Sequence, residues 1–129
     1  MRVNPSSMAK LFTFFLILIN VALAVSGQLS IKTGMNQVGY ITAKNIILMM
    51  SAAIKNPYVL FGLLAYTLAA GTWIVVLSRV DVSFAYPMLS LGYIAILIIS
   101  GMFLHESVTL LRIFGTALIV TGILFIFRS

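Results

Sequence analysis

The sequence predicts an all-α membrane protein with four transmembrane helices and an interfacial helix between the first and second spans. Apolar residues make up 62% of the 129 residues, and charged residues only 8%. Four apolar runs of roughly 20 residues fill most of the chain, and each matches a bilayer core about 30 Å thick. A soluble domain of this size cannot bury so much apolar surface. We therefore expect residues 1–129 to form a single four-helix transmembrane domain.

The first predicted span covers about residues 11–31, and the basic residues Arg2 and Lys10 precede it. Basic residues before an apolar run are also typical of a secretory signal peptide, here with a cleavage site at residues 22–24. That alternative stays open. The apolar run continues past the cleavage site, which favours a retained transmembrane helix.

A longer connection separates the first two spans. Residues 44–55 carry a lysine at each end and an apolar centre of about nine residues, too short to cross a bilayer. We expect an interfacial or re-entrant helix there. Pro57 follows and suits the first turn of the next helix, where an amide has no helical partner to lose.

The remaining spans are predicted at about residues 58–78, 84–104 and 108–127. Short loops join these spans, so neighbours along the chain form antiparallel hairpins. Pro87 lies near the start of the third span. We expect no strong kink there, because a proline in the first turn interrupts little of the helix.

Basic residues lie singly at or near the predicted span ends and give the chain a net charge of +6. This pattern is typical of anchors at anionic lipid headgroups, and we expect no nucleic-acid partner. The two sides of the membrane carry four basic residues each, so the positive-inside rule assigns no orientation. Either the chain inserts both ways, or a partner or the first helix fixes its orientation. The basic residues are Arg2, Lys10, Arg79 and Arg128 on one side, and Lys32, Lys44, Lys55 and Arg112 on the other.

Polar side chains recur on one face of the first span. Asn20, Ala24, Gln28 and Lys32 are spaced by four residues and therefore form one stripe. Polar groups within a span usually face a partner or a cavity, because lipid does not solvate them. Two interpretations remain open. The stripe is either a helix-packing seam with an anchoring lysine, or a cavity wall whose lysine meets an anionic headgroup.

The second and third spans add aromatic and hydroxyl groups at membrane depth. Aromatic residues of this kind also form belts at the membrane interface, although Trp73 lies deep for that role. Together with Asn20, Gln28 and Lys32 they form the predicted substrate-binding set. The additional residues are Tyr66, Trp73, Tyr86, Ser90 and Tyr93.

His105 and Glu106 end the third span. An acidic group beside a histidine is a candidate proton or headgroup relay. The alternative is that Glu106 caps the fourth helix, because a helix N-terminus favours negative charge.

Gly115 and Gly122 lie seven residues apart on the fourth span and share one face. Without side chains, these positions let another helix approach closely. We predict an oligomer interface at this seam. The alternative is that the seam packs against the chain's own helices.

The residues needed for covalent or metal chemistry are scarce. The chain has no cysteine, one histidine and two carboxylates, both near span ends. A disulfide is excluded, and a metal cage or a catalytic carboxylate pair is hard to assemble. No glycine-rich phosphate loop is visible. We therefore predict that the chain is not an enzyme and needs no metal or cofactor.

Several of these features together resemble a known family. The four short spans, the seam at residues 115–122 and the tyrosine-bearing third span resemble the small multidrug resistance branch of the drug/metabolite transporter superfamily. One subgroup is more similar, the flippase subunits for 4-amino-4-deoxyarabinose linked to undecaprenyl phosphate. Its resemblance rests on the run Val-Ser-Phe-Ala-Tyr-Pro-Met-Leu-Ser-Leu at residues 82–91, on the His-Glu pair and on residues 26–29 with Lys32.

The chain departs from the drug exporters of this superfamily at two positions. Those exporters carry a buried glutamate in the first span, and alignment on Gly27 places it at Ala24. Their drug-site aromatic falls at Leu89. Without an embedded acid, the site has no counter-charge for an organic cation and no group to exchange protons.

The resemblance implies a flippase, or a flippase subunit, that moves an undecaprenyl-phosphate-linked sugar across the cytoplasmic (inner) membrane. It also implies pairing, as a homodimer or as a heterodimer with a related four-helix subunit. Two alternatives remain. One is proton-coupled export of small cationic drugs or metabolites, and the other is a structural or regulatory subunit without transport of its own.

Overall fold

The computed structural model describes residues 5–129; Arg2, one of the predicted anchors, lies outside them. Within this range the chain forms helices and no strand. Four apolar helical segments are long enough to cross a membrane, with α4 and α5 together forming one of them. The predicted fold class, four candidate spans with a shorter apolar helix after the first, is confirmed. The helices are α1 (Pro5–Val38), α2 (Ile46–Lys55), α3 (Pro57–Leu77), α4 (Val82–Leu89), α5 (Leu91–Met102) and α6 (Leu110–Arg128).

Helix α1 has 34 residues and extends beyond both ends of the predicted span. At 1.5 Å per residue it is about 51 Å long, so it either tilts strongly or leaves the hydrocarbon core. Its last turns pack on the start of α3. Gln37 accepts a hydrogen bond from the side-chain amide of Asn56 at 3.0 Å. A Cβ atom on Gly34 would lie 2.6 Å from Cγ2 of Val59.

The seam between α1 and α3 is the most extensive helix contact of the described chain. At its centre, a Cβ atom on Gly62 would lie 2.6 Å from the carbonyl oxygen of Gly27. In lipid, close packing of small residues stabilises helix pairs, because the hydrophobic effect does not drive helices together there. Helix α1 is unbroken through residues 22–24, the site of the cleavage alternative.

Helix α2 and the start of α3 follow the predicted pattern. The ten residues of α2 span about 15 Å and cannot cross a bilayer. Ala53 is buried, whereas Ile47 is 84% exposed. Helix α3 begins after Asn56, whose side chain accepts a hydrogen bond from the amide of Tyr58 at 2.9 Å. Pro57 occupies the first turn, as predicted.

The third span is interrupted in the middle. Helix α4 begins at Val82, earlier than predicted, so Pro87 lies inside the helix and has no amide to donate to the carbonyl of Ser83. The chain then tightens around Ser90. Its amide donates to the carbonyl oxygen of Pro87, and its own carbonyl accepts from Tyr93, both at 3.0 Å and both with three-residue spacing. Pro87 therefore lies in the second turn of α4 rather than in the predicted first turn, and the α-helix is interrupted at Ser90. The expectation that the span has no strong kink stays a prediction.

A cluster of buried hydrophobic residues lies where α1, α3, α4 and α6 meet. Elsewhere large apolar side chains point outward, as expected for a bundle whose outer surface lipid covers. Helix α6 is the least enclosed span, with 6% of its apolar window buried. The core residues are Ile17, Val76, Ala85, Met88 and Ile123.

Candidate substrate groove

An open groove of about 610 Å³ lies between α1, α3 and the interrupted α4–α5 span. The structure brings seven of the eight predicted substrate-binding residues to its walls. The eighth, Lys32, lies outside the lining. The seven are Asn20, Gln28, Tyr66, Trp73, Tyr86, Ser90 and Tyr93.

Asn20 joins two of the helices that line the groove. It is 3% exposed, and its side-chain amide donates to the carbonyl oxygen of Ala69 at 2.6 Å and to Oγ1 of Thr72 at 2.9 Å. Both amide hydrogens are therefore used to join α1 to α3, which leaves neither for a ligand. The packing-seam interpretation of the stripe describes Asn20, and the cavity-wall interpretation describes Gln28.

Gln28 and Tyr66 form a hydrogen-bonded pair on the groove wall. The Gln28 side-chain amide donates to the phenolic oxygen of Tyr66 at 2.5 Å. Both side chains are solvent-accessible. Because Tyr66 accepts this bond, its hydroxyl hydrogen can be donated to a ligand, and the Gln28 carbonyl oxygen can accept.

Aromatic rings line a further part of the groove. The rings of Trp73 and Tyr86 meet edge to face, with centroids 5.5 Å apart and planes 82° apart. Tyr86 and Tyr93 are each more than half exposed, at 58% and 57%. These rings offer apolar faces together with hydroxyl groups, which suits a ligand that has both kinds of surface.

The groove lining, as far as residues 5–129 provide it, contains no charged side chain. Ala24 and Leu89 both belong to this lining. The two positions at which the drug exporters carry an acid and an aromatic therefore face the groove with aliphatic groups. An organic cation entering the groove meets no carboxylate among the described lining residues.

Opposite charges lie at one end of the stripe instead. Lys32 is one helical turn beyond Gln28 on α1, and its Nζ lies 3.8 Å from Oε1 of Glu106 in the α5–α6 loop. Both side chains are exposed to solvent, at 53% for Lys32 and 37% for Glu106. The predicted relay residues thus lie outside the groove lining, and Glu106 faces Lys32.

The capping alternative for Glu106 is wrong. Thr109 is the N-cap of α6, and its Oγ1 accepts a hydrogen bond from the amide of Arg112 at 3.3 Å. Glu106 is held back toward α5, because its amide donates to the carbonyl oxygen of Ser100 at 3.1 Å. The side chain is therefore free of the helix terminus and directed to α1.

Comparison with known proteins identifies the family. Over 111 residues the chain is 34% identical to the "Probable 4-amino-4-deoxy-L-arabinose-phosphoundecaprenol flippase subunit ArnF" of Sodalis glossinidius, covering 84% of this chain and 85% of that protein. The chain belongs to this family of flippase subunits. It is a multi-pass membrane protein, and its relatives are named as transporters rather than enzymes, in line with the prediction.

Both subunit types of the family are represented among the relatives. The ArnF subunit of Enterobacter sp. strain 638 is 29% identical over 88% of this chain and 92% of its own length. The ArnE subunit of Pseudomonas paraeruginosa is 32% identical over 61% of this chain and 69% of its own length. No protein-family model and no solved structure matches the chain.

The glycine seam of this flippase-family chain faces outward. A Cβ atom on Gly115 or on Gly122 would meet nothing within 4 Å. The alternative that this seam packs against the chain's own helices is therefore wrong for the described residues. The face remains open to a second chain, and the interface itself stays a prediction.

The glycines that hold the bundle together were not among the predicted functional residues. Gly27, Gly34 and Gly62 all make contacts in which a Cβ atom would come within 3 Å of a neighbour. A signal for them exists in the sequence. Gly62 and Ala69 are seven residues apart and lie on one face of α3, which is the spacing of a close helix contact in lipid.

Proposed function

We propose that the chain is one subunit of a flippase that carries an undecaprenyl-phosphate-linked aminosugar across the cytoplasmic membrane. The headgroup is of the 4-amino-4-deoxyarabinose type that the names of the relatives give. The observation that carries this proposal is the uncharged, aromatic and hydrogen-bonding groove, with alanine in place of the exporters' acid.

The groove wall suits a sugar. Tyr66 and Ser90 can donate hydrogen bonds to ring hydroxyls, and the Gln28 carbonyl can accept one. The Trp73 and Tyr86 rings provide amphipathic surfaces for the C–H face of the sugar. Groups of both kinds are needed, because an uncompensated hydroxyl at membrane depth is costly.

An open groove suits a lipid-linked substrate. The polyprenyl tail is already solvated by the bilayer, so moving it into protein gains no hydrophobic free energy. The headgroup is the part that needs shelter. It would pass along the groove while the tail stays in lipid, and the groove would open to one leaflet at a time.

Pairing completes the proposed transporter. The open face of α6 with Gly115 and Gly122 is the proposed contact, because two bare backbone patches permit close approach of another helix. The ArnE and ArnF names of the relatives denote two subunit types. A heterodimer with a related four-helix subunit is therefore the favoured assembly over a homodimer.

Export of organic cations is less well supported. A proton-coupled exporter needs a carboxylate that exchanges its proton for the cation. Ala24 occupies that position, and the described groove lining has no acidic residue.

The proposal is tested by lipid translocation in liposomes. The purified chain, alone and with a related subunit from the same cell, is reconstituted with labelled aminoarabinose-phosphoundecaprenol, and the lipid reaching the other leaflet is measured. Trp73→Ala is expected to slow translocation about tenfold, the scale of a lost aromatic contact with its ligand. Tyr40→Ala is the matched control, since Tyr40 is 93% exposed and lies outside the groove.

No acceleration with any subunit combination would refute the flippase proposal. Acceleration only with the partner present would make the chain a necessary subunit. Equal rates for Trp73→Ala and Tyr40→Ala would remove the groove from the transport path.

A further inference from the structure

The charges near the groove form a separate feature with its own geometry. The groove lining described by the structure is uncharged. Lys32 lies one helical turn beyond Gln28 on the α1 stripe, where it meets Glu106 of the α5–α6 loop. A headgroup leaving or entering the groove at this end meets a cation and an anion side by side. Lys32 and Glu106 form the one ion pair among residues 5–129 whose N–O distance is within 4 Å.

The α5–α6 loop holds Glu106 in place through its backbone. The Glu106 amide donates to Ser100 at the end of α5, and Nη1 of Arg112 donates to the carbonyl oxygen of Ser107 at 2.8 Å. His105 has a φ of +53°, a left-handed conformation that histidine adopts more readily than most residues. The backbone of Glu106 is therefore held independently of the side-chain contact with Lys32.

The contact between Lys32 and Glu106 is weak enough for a ligand to replace it. Its 3.8 Å separation is long for a charge-assisted hydrogen bond, and both side chains are substantially exposed. Exposed ion pairs of this kind contribute little to stability. A ligand that offers each partner a better counter-charge can therefore separate them at small cost.

The geometry points to Lys32 and Glu106 as a selectivity pair for a zwitterionic headgroup, one that carries both a phosphate and an amine. The phosphate replaces Glu106 on Lys32, and the released carboxylate binds the ammonium of the aminosugar. This inference rests on the proposed function and deepens it. It assigns Glu106 to substrate recognition and adds the amine as a required feature of the ligand.

The same pair would disfavour headgroups without an amine. When a phosphate alone occupies Lys32, Glu106 loses its counter-ion and lies beside a second negative charge. Like charges at short range repel, so a neutral sugar phosphate is penalised. An aminosugar phosphate neutralises both residues and avoids the repulsion.

The test compares two lipids that differ only at the amine, which is either a charged ammonium or a neutral acetamide. Liposomes contain the chain with its partner subunit and either aminoarabinose-phosphoundecaprenol or the N-acetylated form of the same lipid. The wild-type chain is expected to translocate the amine-bearing lipid about tenfold faster, the scale of one charge-assisted hydrogen bond. Glu106→Gln is expected to bring the ratio of the two rates close to one. Lys32→Gln is expected to slow both lipids, since both carry the phosphate.

Two matched variants control for charge loss elsewhere. Asp81→Asn removes the other acidic residue of the chain, and Lys55→Gln removes a lysine expected on the same side as Lys32. Both are expected to keep the wild-type ratio. Thermal unfolding in detergent establishes that Glu106→Gln is folded.

The possible results separate the inference from the proposed function. If the wild-type chain translocates both lipids equally, or if Glu106→Gln slows both by one factor, Glu106 is only a loop contact and the inference is overturned. If the wild-type chain moves neither lipid, the proposed function fails and the inference falls with it.

Discussion

A Cβ atom on Gly27 would lie 2.9 Å from the carbonyl oxygen of Gly62, so the backbones of α1 and α3 touch at this point. Such a contact is possible only between glycines or with a shift of one helix. The groove depends on this contact, because Gln28 and Tyr66, which share a hydrogen bond on its wall, lie directly beside it.

Gly62→Ala is therefore expected to destabilise the bundle by about 1–3 kcal/mol, the usual cost of overpacking. Gly71→Ala is the matched control in the same helix. A Cβ atom at Gly71 meets nothing within 4 Å, and alanine favours a helix by about 1 kcal/mol over glycine. Thermal unfolding in detergent compares the two. Equal stability of both variants would mean that the seam is looser than the structure has it.

Asn20→Leu is expected to lower stability by about 1–2 kcal/mol, because it removes two hydrogen bonds between α1 and α3. Thr67→Val serves as control, since the Thr67 hydroxyl bonds only within its own helix, to the carbonyl of Leu63. Denaturant titration in detergent measures both. A loss of transport without a loss of stability in Asn20→Leu would assign Asn20 to the ligand instead.

Hydropathy and length were sufficient to predict the four spans. Each apolar run has its helix, and three of the four residues of the α1 stripe line a groove, because a polar group at membrane depth has few alternatives. The break at Ser90 was not predictable in the same way. Pro87 frees the carbonyl of Ser83 on its N-terminal side, and therefore gives no signal for a break three residues after it.

The sequence pattern also did not predict which spans pack against each other. Any two apolar helices satisfy lipid equally well, so only side-chain detail, such as Gly27 against Gly62, selects α3 as the partner of α1. The Lys32–Glu106 contact was missed for a related reason. It joins two residues far apart in the sequence, and their proximity follows from the helix packing rather than from a local motif.

Gly122→Leu is expected to weaken pairing with the partner subunit while leaving the fold of the single chain unchanged. A Cβ atom at this position meets nothing within 4 Å, and the leucine side chain would occupy the proposed contact face of α6. Chemical cross-linking in membranes reports pairing, and thermal unfolding reports the fold. Ile126→Leu, a conservative change on the same helix, is the control. Undiminished cross-linking in Gly122→Leu would place the interface on another helix.

Ala24→Glu is expected to exchange one transport chemistry for another. A carboxylate at this point of the groove would repel the phosphate of a lipid-linked sugar and slow its translocation. The same carboxylate supplies the counter-charge that an organic cation needs, so binding of tetraphenylphosphonium with release of a proton is expected in the variant and not in the wild-type chain.

Ala24→Gln is the control. Its side chain has nearly the same volume as that of Ala24→Glu but no charge, so it separates electrostatic from steric effects. The two measurements are translocation of the lipid-linked sugar in liposomes and proton release on cation binding in detergent. If wild-type protein already releases protons as it binds the cation, an acid elsewhere serves the groove, and the electrostatic basis of the flippase proposal is lost.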